Sequence, residues 1–186
     1  MKFSAVLLAG GKSRRMGEDK ATIRFRNDPF WQIQLDLLRK LQPSELFVSA
    51  QIDPSWRPMD VQFIADDQPS RGPVSGIAAA LARTTTDHLL VLGIDMPFMT
   101  ANYLHALCEQ IQPRCGVVPI IENRAEPLAA IYPHEAHDDL VAALSGSDFS
   151  LQSLVGKLVA NGKLQPIQVS EEEKAFFRNL NEPRDL

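Results

Sequence analysis

At 186 residues, the chain can bury roughly 70% of its unfolded surface and build a core without disulfides or metal staples, and it is sized for one domain spanning 1–186. A hydrophobic content of 45% and a charged content of 23% belong to a soluble globular protein, and the longest apolar runs, about five to seven residues, fall far short of the ~20 a membrane helix needs. A net charge of −4 argues against nucleic acid as a partner, but residues 1–26 carry seven basic side chains against Glu18 and Asp19, so this segment stands at +5 and the remainder at −9; a small basic focus on an acidic body suits a small polyanionic ligand.

In chain order, residues 3–9 read as a buried strand stopped by Gly10-Gly11. The apolar start is too short for a secretory signal and runs straight into a basic loop, which predicts a cytoplasmic protein with no membrane partner. Pro29 opens a helix over 29–41 with Ile33, Leu37 and Leu41 on one face. Strands follow at 45–50 and 61–65, then a short helix around 74–83 and a fully buried strand at 88–94. Thr100 caps a helix carrying Leu104, Leu107, Cys108 and Ile111. A strand at 115–120 precedes a shorter one at 127–132, whose leading proline favours a sheet edge. Helices at 134–144 (His137, Leu140, Val141, Leu144) and 150–160 and a strand at 164–169 complete the pattern. Cys108 and Cys115 lack the spacing of a zinc or disulfide framework and read as small buried residues. His134 and His137 read as ordinary helix residues, and Trp31 and Trp56 as packing residues.

Strands alternating with helices predict an α/β fold. We expect a Rossmann-like three-layer sandwich, with a mostly parallel sheet and an antiparallel edge strand. Ligands of such sheets sit outside the carboxyl ends of the strands, so chemistry is sought in loops 9–20, 50–54, 66–76 and 95–100.

The first of these loops follows a buried strand with a glycine pair, which lets backbone N–H groups approach phosphate, and then supplies basic charge. Gly11-Lys12-Ser13 resembles the end of a Walker A loop, but Val6 stands where that motif needs its first glycine. Gly10 and Gly11 are adjacent, so the dinucleotide pattern GxGxxG is absent, and Gly72-Pro-Val-Ser75-Gly76 lacks the spacing of a nucleophile elbow. At the end of strand 88–94, Asp95 points toward the same crevice, where an acid suits a metal ion.

Residues 8–20, LAGGKSRRMGEDK, resemble the LAxGxxxRMGxxK signature of NTP-transferases, above all the molybdenum cofactor guanylyltransferases (MobA). Asp95-Met96-Pro97-Phe98 resembles the family's second motif, residues 70–81 its GPLAG motif, and residues 176–186 its C-terminal F-x-N-x-NTPEDL. The resemblance implies that Leu8, Ala9, Gly10 and Gly11 line the nucleotide, that Arg15 and Lys20 meet the phosphates, and that Asp95 binds Mg²⁺. It implies nucleotide contact for Asp66, with Asp67 as the alternative because the spacing to Gly72 is not fixed. Gly72, Gly76, Asn179 and Asn181 are implied to serve the loop or the second substrate. Two departures stand out: Ser49 where guanylyltransferases often carry Asn, and Glu182 where Thr is usual.

The activity implied is Mg²⁺-dependent transfer of GMP from GTP to molybdopterin, releasing pyrophosphate, with pathway proteins as further partners. The spelling LAGG together with DMPF points to the guanine branch, whereas cytosine relatives usually read LAAG. A cytidylyl or sugar-1-phosphate nucleotidyltransferase, or a binding module without turnover, stays open as the alternative.

Overall fold

A computed structural model describes residues 2–10, 20–66 and 69–180. In chain order these form β1 (Ser4–Leu8), β2 (Arg24–Phe25), β3 (Asp28–Pro29), α1 (Phe30–Lys40), β4 (Leu46–Ala50), β5 (Gln62–Ala65), α2 (Pro73–Arg83), β6 (His88–Gly93), α3 (Ala101–Glu109), β7 (Gly116–Ile121), β8 (Arg124–Ala125), β9 (Ala129–Pro133), α4 (His137–Ser145), α5 (Leu151–Ala160) and β10 (Leu164–Gln168). Short 3₁₀ turns lie at Lys20–Thr22, His134–Ala136 and Glu173–Phe177.

The main sheet runs β10-β7-β9-β6-β1-β4-β5, with β8 paired to β7. Strand β1 is parallel to both β4 and β6, and all five of its residues are buried. Alternation sends its side chains to two separate cores. Ala5 and Leu7, like Leu90 and Leu92 of β6, join a cluster with Leu35, Leu38, Leu104 and Leu107 of α1 and α3. Val6 and Leu8, with Leu89 and Val91, join Val74, Ile77, Leu81, Leu140 and Leu158 of α2, α4 and α5. This is the three-layer sandwich expected from the sequence.

Helix termini follow their local chemistry. Thr100 Oγ1 accepts from the Tyr103 N–H, and Ser150 caps α5 by accepting from the Ser153 N–H. Cys108, on the inner side of α3, has its thiol pushed up to about 12 by burial.

The antiparallel strand sits elsewhere than expected. β9 lies inside the sheet, between β6 and β7, and all five of its residues are buried. Pro127 lies two residues ahead of the strand, so its missing N–H costs the ladder nothing. Two short features were not anticipated: β8, and the β2–β3 hairpin, whose turn residues Arg26 and Asn27 both take positive φ. Trp31 and Trp56 stack on each other with ring centroids 5.6 Å apart. Val141, expected on the inner face of α4, is 43% exposed. No helix among the described residues is long and apolar enough to cross a membrane.

Candidate active site

The carboxyl ends of β1, β4, β5 and β6 form one rim, and backbone hydrogen bonds carry the ladder one residue past β1, β5 and β6. The Ala9 N–H donates to the Ser49 carbonyl at 2.9 Å, the Asp66 N–H to the Ala50 carbonyl at 3.0 Å, and the Ile94 N–H to the Leu8 carbonyl at 3.2 Å. The rim is therefore rigid up to the residues where chemistry is expected.

One half of the rim is built around Asp66, a residue only 8% exposed. Ser49 Oγ, itself buried, donates to Asp66 Oδ1 at 2.6 Å, and Ser70 Oγ donates to Oδ2 at 3.4 Å. Such charge-assisted bonds hold the acid in one orientation. Gly76, in the first turn of α2, allows this packing: a Cβ there would lie 2.8 Å from Ser49 Oγ and 3.0 Å from Leu8 Cδ2. On the other side, a Cβ at Gly10 would approach Asp66 Oδ2 to 3.1 Å. Helix α2 starts at Pro73 after Gly72, whose φ of 74° is a conformation that side chains disfavour. Its N-terminal N–H groups and positive dipole end thus open beside the Asp66 pocket.

The other half is Asp95, two residues beyond β6. Lys20 Nζ donates to Asp95 Oδ2 at 3.1 Å, and both side chains are mostly covered, 17% and 21% exposed. The backbone of Lys20 belongs to a 3₁₀ turn anchored by Ala21, which is buried, and closed by the Ile23 N–H donating to the Lys20 carbonyl. Asp95 is held from behind, because the Leu180 N–H donates to its carbonyl at 3.3 Å. That contact brings the C-terminal segment, including exposed Asn179, to the same rim.

A third acid was not found by sequence reasoning. Because β9 is antiparallel to β6, the residues entering β9 lie beside the residues leaving β6, and the Gly93 N–H donates to the Leu128 carbonyl at 2.8 Å. Glu126 is thereby brought within the field of Asp95. Burial pushes its carboxyl above the ordinary glutamate range; Arg124 draws it back, and the negative charge of Asp95 adds to the rise. Only the inward position of β9 makes this neighbour, so no local motif could have revealed it. Among the described residues no three His, Cys, Asp or Glu side chains converge on one point.

This rim belongs to a chain whose residues 5–161 match the family model described as the MobA-like NTP transferase domain. The chain belongs to that family. It is 32% identical to a probable molybdenum cofactor guanylyltransferase of Opitutus terrae, covering 98% of this chain and 92% of the relative. It is 30% identical to the molybdenum cofactor guanylyltransferase of Xanthomonas euvesicatoria, covering 97% and 90%. In fold it is similar to molybdopterin-guanine dinucleotide biosynthesis protein A of Archaeoglobus fulgidus, at a TM-score of 0.77 and 23% identity over 98% of this chain and 94% of the other. It is also similar to 2-C-methyl-D-erythritol 4-phosphate cytidylyltransferase of Thermus thermophilus, at a TM-score of 0.71 and 15% identity over 100% and 95%. The protein is a nucleotidyltransferase of the MobA-like family, as its signature motifs implied.

Of the residues singled out from the sequence of this MobA-like protein, Leu8, Ala9, Gly10, Asp66 and Gly76 lie together on one side of the rim, and Lys20 and Asp95 pair on the other. Gly72 stands at the entry to α2. Gly11, Arg15, Asn181, Glu182 and the alternative acid Asp67 lie outside the described residues. Ser49, noted as a departure from the usual Asn, is the residue that orients Asp66.

Proposed function

We propose that this protein, as one NTP-transferase domain over residues 1–186, transfers GMP from GTP to molybdopterin with Mg²⁺, giving molybdopterin guanine dinucleotide and pyrophosphate in the cytoplasm. The observation that carries the reading is the Lys20–Asp95 pair at 3.1 Å on the carboxyl-end rim. There a phosphate-seeking cation and a metal-seeking acid meet, in a chain similar to proteins named molybdenum cofactor guanylyltransferases.

The donor set fits magnesium. Asp95 offers hard oxygen ligands and already accommodates a cation on Oδ2, and Mg²⁺ is commonly bound by only one or two carboxylates together with substrate phosphates. When bound, the ion supplies neutralising charge to the phosphates, and Asp95 is the residue that would hold it. In the reaction a phosphate oxygen of molybdopterin forms a bond to the α-phosphorus of GTP, and the bond from that phosphorus to the bridging oxygen breaks. Pyrophosphate departs with the electron pair. The nucleophile is already ionised near neutral pH, so no side chain has to remove a proton. Arg15, Lys20 and the N–H groups of the loop beyond Ala9 act on the charge gathering on pyrophosphate, while Leu8 and Ala9 line the nucleotide and Asp66, Gly72 and Gly76 shape its side of the rim. Asn179 and Asn181 would meet the second substrate. Catalysis of this kind rests on positioning and charge neutralisation.

The test is incubation of the purified protein with Mg-GTP and molybdopterin, followed by detection of the dinucleotide and pyrophosphate, with CTP in parallel. Formation with GTP and not CTP is expected; equal or greater turnover with CTP overturns the guanine assignment. Asp95→Ala should fold and lose a factor of about 10²–10³ in turnover, the cost of one such electrostatic contact. Wild-type rates from that variant would remove Asp95 from the mechanism.

A further inference from the structure

The Lys20–Asp95 pair sets two demands on the same carboxylate. Asp95 Oδ2 accepts from the Lys20 ammonium at 3.1 Å, with both side chains four-fifths covered. A divalent ion on that oxygen would face the lysine charge at close range with little water to screen it. We propose that Lys20 acts as an internal cation that holds Asp95 until nucleotide arrives, so that divalent-metal binding is conditional on the triphosphate drawing Lys20 away. This inference rests on the nucleotidyltransferase reading, in which Asp95 takes the metal and Lys20 meets phosphate.

Three features favour such an exchange. The Lys20 backbone is fixed by the turn on buried Ala21, but its head group rides on a flexible four-carbon stem and can change partners without moving the chain. The Asp95 backbone is anchored, because the Leu180 N–H holds its carbonyl and the Gly93 N–H donates to the Leu128 carbonyl. A second acid, Glu126, also stands within the field of Asp95. Lys20 supplies the positive charge that balances Asp95. A triphosphate offers Lys20 a more highly charged partner, and by linkage its binding and that of the metal then reinforce each other.

The experiment titrates Mn²⁺ alone into nucleotide-free protein and follows the paramagnetic resonance signal of free Mn²⁺. Lys20→Met should bind Mn²⁺ about tenfold more tightly than wild type, a modest coupling for two ligands. Lys20→Arg, which keeps the charge, should remain as weak as wild type, and Asp95→Asn added to Lys20→Met should abolish the gain. With the α,β-methylene analogue of GTP or CTP present, the order should reverse, Lys20→Met binding the Mn²⁺–nucleotide complex more weakly than wild type. Should Lys20→Met fail to show a native circular-dichroism spectrum, Lys20→Gln carries the same expectation. Equal or weaker Mn²⁺ binding by the neutral variant, or a gain that survives Asp95→Asn, overturns the proposal. The Mn²⁺-only arm involves no base and no acceptor, so a mistaken guanine or molybdopterin assignment leaves it unaffected. If Asp95→Asn instead binds Mn²⁺–nucleotide as wild type does, Asp95 is not the metal acid, and both readings fall together.

Discussion

The hydroxyl of Ser49, read from the sequence as a departure from the family pattern, makes its contact through Asp66. With Ser49 Oγ 2.6 Å from Asp66 Oδ1 and the acid almost fully covered, Ser49→Ala would leave a buried carboxylate oxygen unpaired. Hydrogen bonds to charged groups contribute about 1.5–3 kcal/mol, so urea unfolding should show a loss of that order, together with weaker nucleotide binding. Gly76→Ala tests the same pocket from the helix side. A Cβ 2.8 Å from Ser49 Oγ must push that hydroxyl off the acid, so both variants should injure nucleotide binding by one route, and their effects should not add. The string LAGGKSRRMGEDK made the neighbourhood legible from sequence, but the Ser49–Asp66 bond spans 17 positions and has no local signature.

Between elements, Glu45 ties together three segments that the chain visits far apart. Its carboxylate accepts from Ser4 Oγ of β1 at 2.6 Å, from the Thr85 N–H at 2.8 Å and from Thr84 Oγ1 at 3.2 Å, joining the entry to β4 with the α2–β6 connection. Burial works to raise its pKa, and these hydrogen bonds outweigh it, leaving the carboxyl below the ordinary glutamate range. A carboxyl whose folded pKa is lowered contributes stability above its unfolded pKa and loses it as pH falls through the folded value. Unfolding measured from neutral pH down through that acid window should therefore show a declining contribution, and Glu45→Gln should flatten that part of the profile. If wild type and Glu45→Gln decline in parallel, the tie carries no such stability. The strands and helices themselves were legible wherever apolar periodicity was long, as in β1, α1 and β6. β8 and the β2–β3 hairpin were not, because two-residue strands are too short to show a period and depend on their partners. The edge assignment for residues 127–132 failed for a related reason: proline marked the approach to the strand, not the ladder itself.

For the whole molecule, the charge asymmetry seen in the sequence, +5 over residues 1–26 and −9 over the rest, suits the triphosphate ligand proposed above. A ligand at 100 times its Kd adds about 2.7 kcal/mol, which for a chain of this size raises the melting temperature by roughly 5–10 °C. Mg-GTP should give that shift and CTP at the same concentration a smaller one. Equal shifts would leave the base unread by this fold, which the Thermus cytidylyltransferase shares. The sequence by itself determined the layered α/β class and the family, because strand burial and a long signature are local properties of the chain. Only the tertiary structure decided that β9 runs inside the sheet, that Glu126 stands near Asp95, that Ser49 orients Asp66, and that Lys20 sits on the very acid proposed for the metal. Each of these joins residues remote in sequence, and their distances are fixed by strand order and direction, which no local pattern encodes.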